Sequence, residues 1–192
     1  PKRTIFTGER PLHALRERGV EYIEVRLMDL DPFEPVGIRA STMRFLDVFL
    51  LHCLLSDSPD DTPAEIAELA RNQHLTAARG REPGLKLLRG GQEVVLADWG
   101  AELIAQCAPI AAALDAAHGG NLHAQALQEA ADALRAPDTL PSARVLKSMA
   151  ERHNNSFVSF IRAQSESTRE YFGKLPWAEH DQAHFEQMTQ DS

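Results

Sequence analysis

The stretch Glu21-Tyr22-Ile23-Glu24-Val25-Arg26-Leu27-Met28-Asp29-Leu30-Asp31-Pro32-Phe33 decides how the chain is read. Ile23, Val25 and Leu27 fall on one side of a period-2 element and Tyr22, Glu24, Arg26 and Met28 on the other, the pattern of a half-buried β-strand over 21–29. A carboxylate and a guanidinium therefore share one face. A cross-strand ion pair on a solvated face accounts for such a pattern as readily as a reacting site does.

Outward from this stretch, Lys2 to Thr7 is short, basic and β-permissive, which predicts a strand over 3–7. Pro11 to Arg18 reads as a short helix closed by Gly19, and Asp31-Pro32, Pro35 and Gly37 form a turn-rich exit, because a residue before proline is pushed from helical angles. Ser41 is the expected N-cap of a helix running to about Ser56, whose apolar residues from Met43 to Leu55 cover nearly its whole circumference and suggest the core element. His52 within it reads as a boundary histidine. After the Asp57–Asp61 turn, Thr62, Pro63 and Glu65 predict a capped helix to about Arg79.

The segment Arg79 to Gly91 is basic and glycine-punctuated and leads into a hairpin over 85–96. It carries neither the Walker nor the dinucleotide spacing, so a solvated charged face is the simpler reading than an anion cradle. From Trp99 onward alanine-rich helices are expected at 99–118, 121–135, 141–152 and 155–172, with a polar segment from Gly173. In that last segment His180 and His184 lie four apart, a spacing able to ligate metal from one helix face, though without the H-E-x-x-H order. The fold class is α+β and mainly helical, a few antiparallel strands packed on a helical bundle. It is organised as one unit, with an active-site strand region over 1–40, a helical scaffold over 41–172 and a polar tail over 173–192.

Composition bounds the function. A chain of 192 residues that is 43% hydrophobic can bury one sizeable core. The net charge of -8 argues against a general nucleic-acid or anionic-membrane binder, which would need a basic surface. Cys53 and Cys107 have no C-x-x-C spacing, so neither a zinc site nor a disulfide framework is indicated and a reducing cytoplasm fits best. The match of Asn154-Asn155-Ser156 to a glycosylation pattern carries no weight without a secretion signal. The longest apolar run, Phe45 to Leu55, is too short to span a bilayer. A start at Pro1 without an initiator Met suggests a piece of something longer.

If the charged strand is catalytic, its residues suit phosphate chemistry on a carboxylate. Glu24 offers the hard oxygen that Mg²⁺ prefers, and Arg26 a planar fork for phosphate oxygens. Lys2, Arg3 and Tyr22, beside the strand, are weaker candidates for nucleotide or substrate contact.

The run Glu21 to Arg26, followed by Leu30-Asp31-Pro32-Phe33 and Pro35-Val36-Gly37-Ile38, closely resembles the proteobacterial glutamate–cysteine ligases (γ-glutamylcysteine synthetases). Lys2-Arg3-Thr4, Arg44 to Leu50, Gly80 to Leu85 and Ser142 to Met149 resemble the same family in the same order. The resemblance covers about residues 2–150 and is specific over the first 55. It implies the C-terminal portion of an ATP-dependent ligase, related to the glutamine synthetase architecture, that joins the γ-carboxylate of L-glutamate to the amine of L-cysteine through γ-glutamyl phosphate. It implies a Mg²⁺-ligating role for Glu24 and a phosphate-binding role for Arg26. It also implies that the other metal carboxylates lie in an N-terminal part of the enzyme, so that this chain alone is inactive. The competing reading is a non-catalytic helical interaction or regulatory domain, in which Glu24 and Arg26 are only an ion pair. A small metalloprotein built on His180 and His184 ranks behind both.

Overall fold

The computed structural model describes residues 2–26, 28–176 and 179–190, and the chain divides into two compact units, Pro1–Leu30 and Asp31–Ser192. The first is small. Its helix α1 (Pro11–Arg18) starts with proline at the first turn, and Gly19 follows at φ 71, a left-handed value that glycine adopts without strain. Around α1 the polar groups interlock. Arg18 donates to both carboxylate oxygens of Glu9 at 2.7 and 2.8 Å and to the Thr4 carbonyl at 2.9 Å, while Glu9 also accepts from the Phe6 amide at 3.0 Å. The Arg18 fork, aided by that amide, lowers the Glu9 carboxyl to about 2.

The strands expected at 3–7 and 21–29 are not formed among the described residues; a single antiparallel bridge joins Lys2 to Tyr22. The physical reason is pairing. A strand is held by a neighbour that takes up its backbone groups, and among the described residues of this unit no backbone group beyond Tyr22 has one. The alternating sequence consequently leaves Ile23 and Val25 as open as Tyr22, at 50%, 45% and 49%. Leu27, the third member of the expected apolar face, lies outside the described residues.

The second unit is helical, as expected, with one hairpin. It contains α2 (Ala40–Leu55), α3 (Pro63–Arg79), the strands β1 (Lys86–Arg89) and β2 (Gln92–Val95), α4 (Leu96–His118), α5 (Leu122–Arg135), a 3₁₀ turn (Pro137–Thr139), α6 (Pro141–Arg152), α7 (Phe157–Gly173) and α8 (Glu179–Gln190). The strands pair antiparallel with Arg89 opposite Gln92, across Gly90 and Gly91 at φ 60 and 78, the two positive angles that a two-residue hairpin demands. The buried Asn72 of α3 clamps β1, accepting from the Leu88 amide at 2.9 Å and donating to the Leu88 carbonyl at 2.6 Å. Its amide substitutes for a strand partner.

Packing centres on α2, α4 and α5. Val48, Cys107, Ala111 and Leu127 form the buried cluster, with Phe45, Phe49, Ile104, Ile110 and Leu114 against it. The small side chains on α4 let the neighbouring helices approach. α2 is the core element, but on one face only: Val48 is fully buried while Leu54 and Leu55 are 77% and 74% exposed. Its N-cap is Arg39 in extended conformation, not Ser41. The correction has a tertiary cause, since Arg39 is held by Asp31 at 3.3 Å and Glu34 at 3.1 Å. α4 starts at Leu96, three residues before the expected Trp99, because β2 runs straight into it. The cap at Thr62 is formed, its hydroxyl accepting from the Glu65 amide at 3.2 Å. The polar segment after Gly173 carries α8.

Two buried acids tie connections to this scaffold. Asp31 is 5% exposed, accepts from the Phe33 amide at 3.0 Å, and meets Arg39 and, 3.4 Å away, Arg144 of α6. Arg144 also lies 4.0 Å over the Phe33 ring, which packs against the fully buried Phe160 of α7. Asp115, near the end of α4, accepts from the amides of His123 and Ala124 at 2.9 and 3.0 Å and from the His123 ring at 2.8 Å. It thereby caps α5 from the previous helix, because Asn121 supplies no side-chain cap.

Replacing Asp31 with alanine should destabilise the fold by about 2 kcal/mol, since charge-assisted bonds are lost and two arginines left without their common partner; urea denaturation measures it. For Asp115, burial favours the protonated acid, but the two amides and the His123 ring outweigh it and hold the pKa below the usual aspartate value. The stabilisation is therefore complete above the unfolded-state pKa, about 4, and is lost as pH falls through the lowered folded value. Asp115→Asn should lower the melting temperature at neutral pH and lose part of the acid-side decline, as a melting series from pH 7 downward would show.

Candidate active-site segment

The first unit gathers four of the five residues singled out in the sequence. The Lys2 amide donates to the Tyr22 carbonyl at 2.7 Å, and the Lys2 carbonyl accepts from the amides of Glu21 and Tyr22 at 2.9 and 3.2 Å. This pairing carries the Lys2 ammonium to 3.9 Å from Oε2 of Glu24. Arg26, two residues on and on the same face, donates to that same Oε2 from Nε at 2.9 Å and from its terminal nitrogen at 2.5 Å. One carboxylate oxygen thus meets two cations, and Oε1 takes part in none of these contacts.

The electrostatics follow. The Arg26 hydrogen bond, outweighing desolvation and supported by Lys2, holds the Glu24 carboxyl below the usual glutamate value. Glu24 is ionised at neutral pH, the state in which a carboxylate is a cation ligand. Arg26 is mostly open to solvent, at 70%, and Glu24 about half as much, at 35%. The pair is accessible to a bound molecule.

Arg3 is placed differently. It donates to the carbonyls of Gly19 (2.9 Å) and Arg18, so its guanidinium caps the C-terminal end of α1. Glu21, which accepts from the Thr4 amide at 2.9 Å, lies 3.9 Å from Arg3 and has its own pKa lowered, first by the Thr4 bond. Glu9, Arg18 and Glu21 frame the segment, and the sequence reading missed all three. The available signal was an arginine ending a short helix with a glutamate before that helix and another after it.

The other candidates resolve into structure. In the basic loop, Arg79 pairs with Glu82 at 2.6 Å and Arg89 with Glu102 at 2.7 Å, beside the Trp99 ring. Both arginines are committed to carboxylates, as in the solvated reading of that loop. His52 packs near Phe49 and Ser56 at the end of α2, a boundary histidine. The side chain of His180 lies outside the described residues, while His184 sits against Phe185. Among the described residues no three His, Cys, Asp or Glu side chains converge as a metal site.

Comparison with known proteins extends these observations. A family model described as glutamate–cysteine ligase matches residues 1–76. The chain is 44% identical over all 192 residues to a glutamate–cysteine ligase of Pseudomonas fluorescens strain Pf0-1, and 47% identical to that of Pseudomonas paraeruginosa strain DSM 24068 / PA7. It spans 36% of the length of each. The crystal structure of a glutamate–cysteine ligase from Francisella tularensis in complex with AMP superposes with a TM-score of 0.76 at 33% identity. That match covers 92% of this chain and 34% of the other.

If Arg26 sets the protonation of Glu24, Arg26→Gln should move the Glu24 titration up toward the ordinary glutamate range, and Lys2→Gln should move it less. Carboxyl-carbon NMR of the two variants against pH measures both, and an unmoved Glu24 in Arg26→Gln would dissolve the coupling. By its residues, its fold and its relatives, the chain is similar to glutamate–cysteine ligases over 36% of their length.

Proposed function

We propose that this chain is the C-terminal portion of an ATP-dependent ligase that joins the γ-carboxylate of L-glutamate to the amine of L-cysteine, the first step of glutathione biosynthesis, in the cytoplasm. The observation that carries the reading is the ionised, accessible Glu24 with Arg26 beside it, in a chain similar over its whole length to such ligases. In the proposed reaction a γ-carboxylate oxygen attacks the γ-phosphorus of ATP and displaces ADP. The cysteine amine then attacks the γ-glutamyl carbon, displaces phosphate and gives up a proton as the amide forms. The AMP bound in the Francisella relative supports a nucleotide as co-substrate.

Arg26 is assigned to the phosphate oxygens, where a fixed guanidinium offsets charge that develops during transfer. Lys2 and Tyr22 are assigned to nucleotide or substrate contact at its edge, and Arg3 to the same group with the weakest support, because its guanidinium caps α1. Mg²⁺ chemistry would neutralise the ATP phosphates, and Glu24 suits one ligand position for it. The described residues do not fit a whole site, since the ion needs several well-placed oxygens and Glu24 stands here between two cations. We therefore assign the remaining ligands to the part of the ligase outside these 192 residues. The alternative of a non-catalytic helical interaction domain is disfavoured by similarity that runs through the charged segment as well as the helices.

Incubated with ATP, Mg²⁺, glutamate and cysteine, the chain alone should release no ADP, and substrate-dependent turnover would overturn the missing-ligand reading. In a full-length ligase containing this segment, Glu24→Gln and Arg26→Lys should each lower kcat about a hundredfold or more. Their melting temperatures should match the parent's, because both side chains are exposed. Parent-like rates in both would remove the pair from the site.

A further inference from the structure

Lys2 belongs to the candidate site only while its main chain stays paired with Tyr22, because that pairing brings its ammonium to 3.9 Å from Oε2 of Glu24. The pairing is a single antiparallel bridge rather than a strand. A bridge of this size is marginal by itself, since a few hydrogen bonds barely offset the ordering of the residues that make them. Residues 2–4 therefore need a further hold on 21–22.

That hold closes on Thr4. Its carbonyl accepts from Nη2 of Arg18 at 2.9 Å, and its amide donates to Oε2 of Glu21 at 2.9 Å. The α1 side of this clamp is anchored: Arg18 is gripped by both carboxylate oxygens of Glu9, and Arg3 donates to the carbonyls of Gly19 and Arg18. On the other side, Glu21 reaches both ends of the short segment. Its side chain takes the Thr4 amide, and its own amide donates to the Lys2 carbonyl at 2.9 Å. The two contacts fall on either side of Arg3, whose guanidinium lies 3.9 Å from the same carboxylate.

We propose that Glu21 is a positioning residue, whose carboxylate fixes residues 2–4 and so sets Lys2 beside Glu24. The role rests on the proposed ligase reaction, in which Lys2 contacts nucleotide or substrate. Charge separates it from a direct one. Glu21 is an anion close to a site assigned to phosphate, so removing its charge alone would ease the approach of a polyanion. Loss of positioning acts in the opposite direction, because the Lys2 ammonium is no longer held in place. With its side chain 44% exposed, Glu21 can be replaced without disturbing a core.

In a full-length ligase containing this segment, with ATP and then glutamate limiting, Glu21→Ala should lower kcat/KM by about five- to tenfold for at least one of them. Glu21→Gln loses the charge but keeps a carbonyl oxygen for the Thr4 amide, and should stay within about twofold of the parent. Lys2→Gln should cost about as much as Glu21→Ala, and the double variant no more than either, since both remove one contact. Hydrogen exchange in the 192-residue chain reads the positioning without activity. The Lys2 amide, which donates to Tyr22 and not to the Glu21 carboxylate, should exchange faster in Glu21→Ala and at the parent rate in Glu21→Gln. Parent-like exchange of Lys2 in Glu21→Ala overturns the role whatever the rates. Additive losses in the double variant, or a Glu21→Gln as impaired as Glu21→Ala, overturn it too. Faster exchange beside full activity of Lys2→Gln upholds the placement of Lys2 by Glu21 and overturns instead the assignment of Lys2 to the reaction.

Discussion

The close packing of α2 and α5 on the small side chains of α4 is the contact on which the second unit rests. Val48 and Leu127 reach the α4 surface because Cys107 and Ala111 present so little bulk there. A larger residue at either α4 position would push two helices at once, since both neighbours read the same stripe. The same economy of volume has a consequence one turn away, where Gly100, Ala130 and Cys107 leave space that Phe45 and Phe49 flank without filling. Tight packing at Ala111 and an open groove beside Cys107 arise from one choice of small residues.

Around that packing, connections are fixed by polar side chains that stand in for missing backbone partners. Asn72 completes the hydrogen bonding of Leu88 at the sheet edge, Asp115 supplies the cap that α5 lacks, and Asp31 gathers the Phe33 amide with Arg39 and Arg144. Each is buried, and each works because its second partner is charged or lies in main chain already held by a helix or strand. This is the usual solution when a loop must cross a helical surface without leaving amides unpaired. It also explains why α2 begins where it does, with Arg39 drawn back toward Asp31.

Much of this was legible in the sequence where the signal was local. Pro11 and Gly19 bracket α1, Thr62 and Pro63 open α3, Gly90-Gly91 turns the hairpin, and Pro141 starts α6, each through the backbone angles or cap it imposes. Contacts distant in sequence were not legible. Arg144 meets Asp31 across 113 residues, and nothing near either residue signals the other. The strand over 21–29 misled because alternation records what a segment can do beside a partner, while Ile23 and Val25 here remain open. Within the candidate site, Glu24 and Arg26 were readable as a pair because two residues apart on an extended chain share a face. The turning of Arg3 to the end of α1 was not, because it depends on where that helix stops.

The pairing of Glu24 with Arg26 bears on the proposed roles, because a residue locked into an ion pair could serve neither metal nor phosphate. Here the lock is weak. Both partners are reached by water, and exposed pairs of this kind are held by little more than the Coulomb attraction that survives screening. The Arg26 and Lys2 contacts fall on Oε2, so Oε1 can accept a cation before either of them is broken. A bound triphosphate would then offer Arg26 several charged oxygens in exchange for one, and Lys2 the same. Meanwhile Arg26 and Lys2 favour the ionised form of Glu24, and Glu24 holds both cations beside it. The ion pair favoured by the plainer reading of this segment is thus compatible with the roles proposed for Glu24 and Arg26, because separating it costs little.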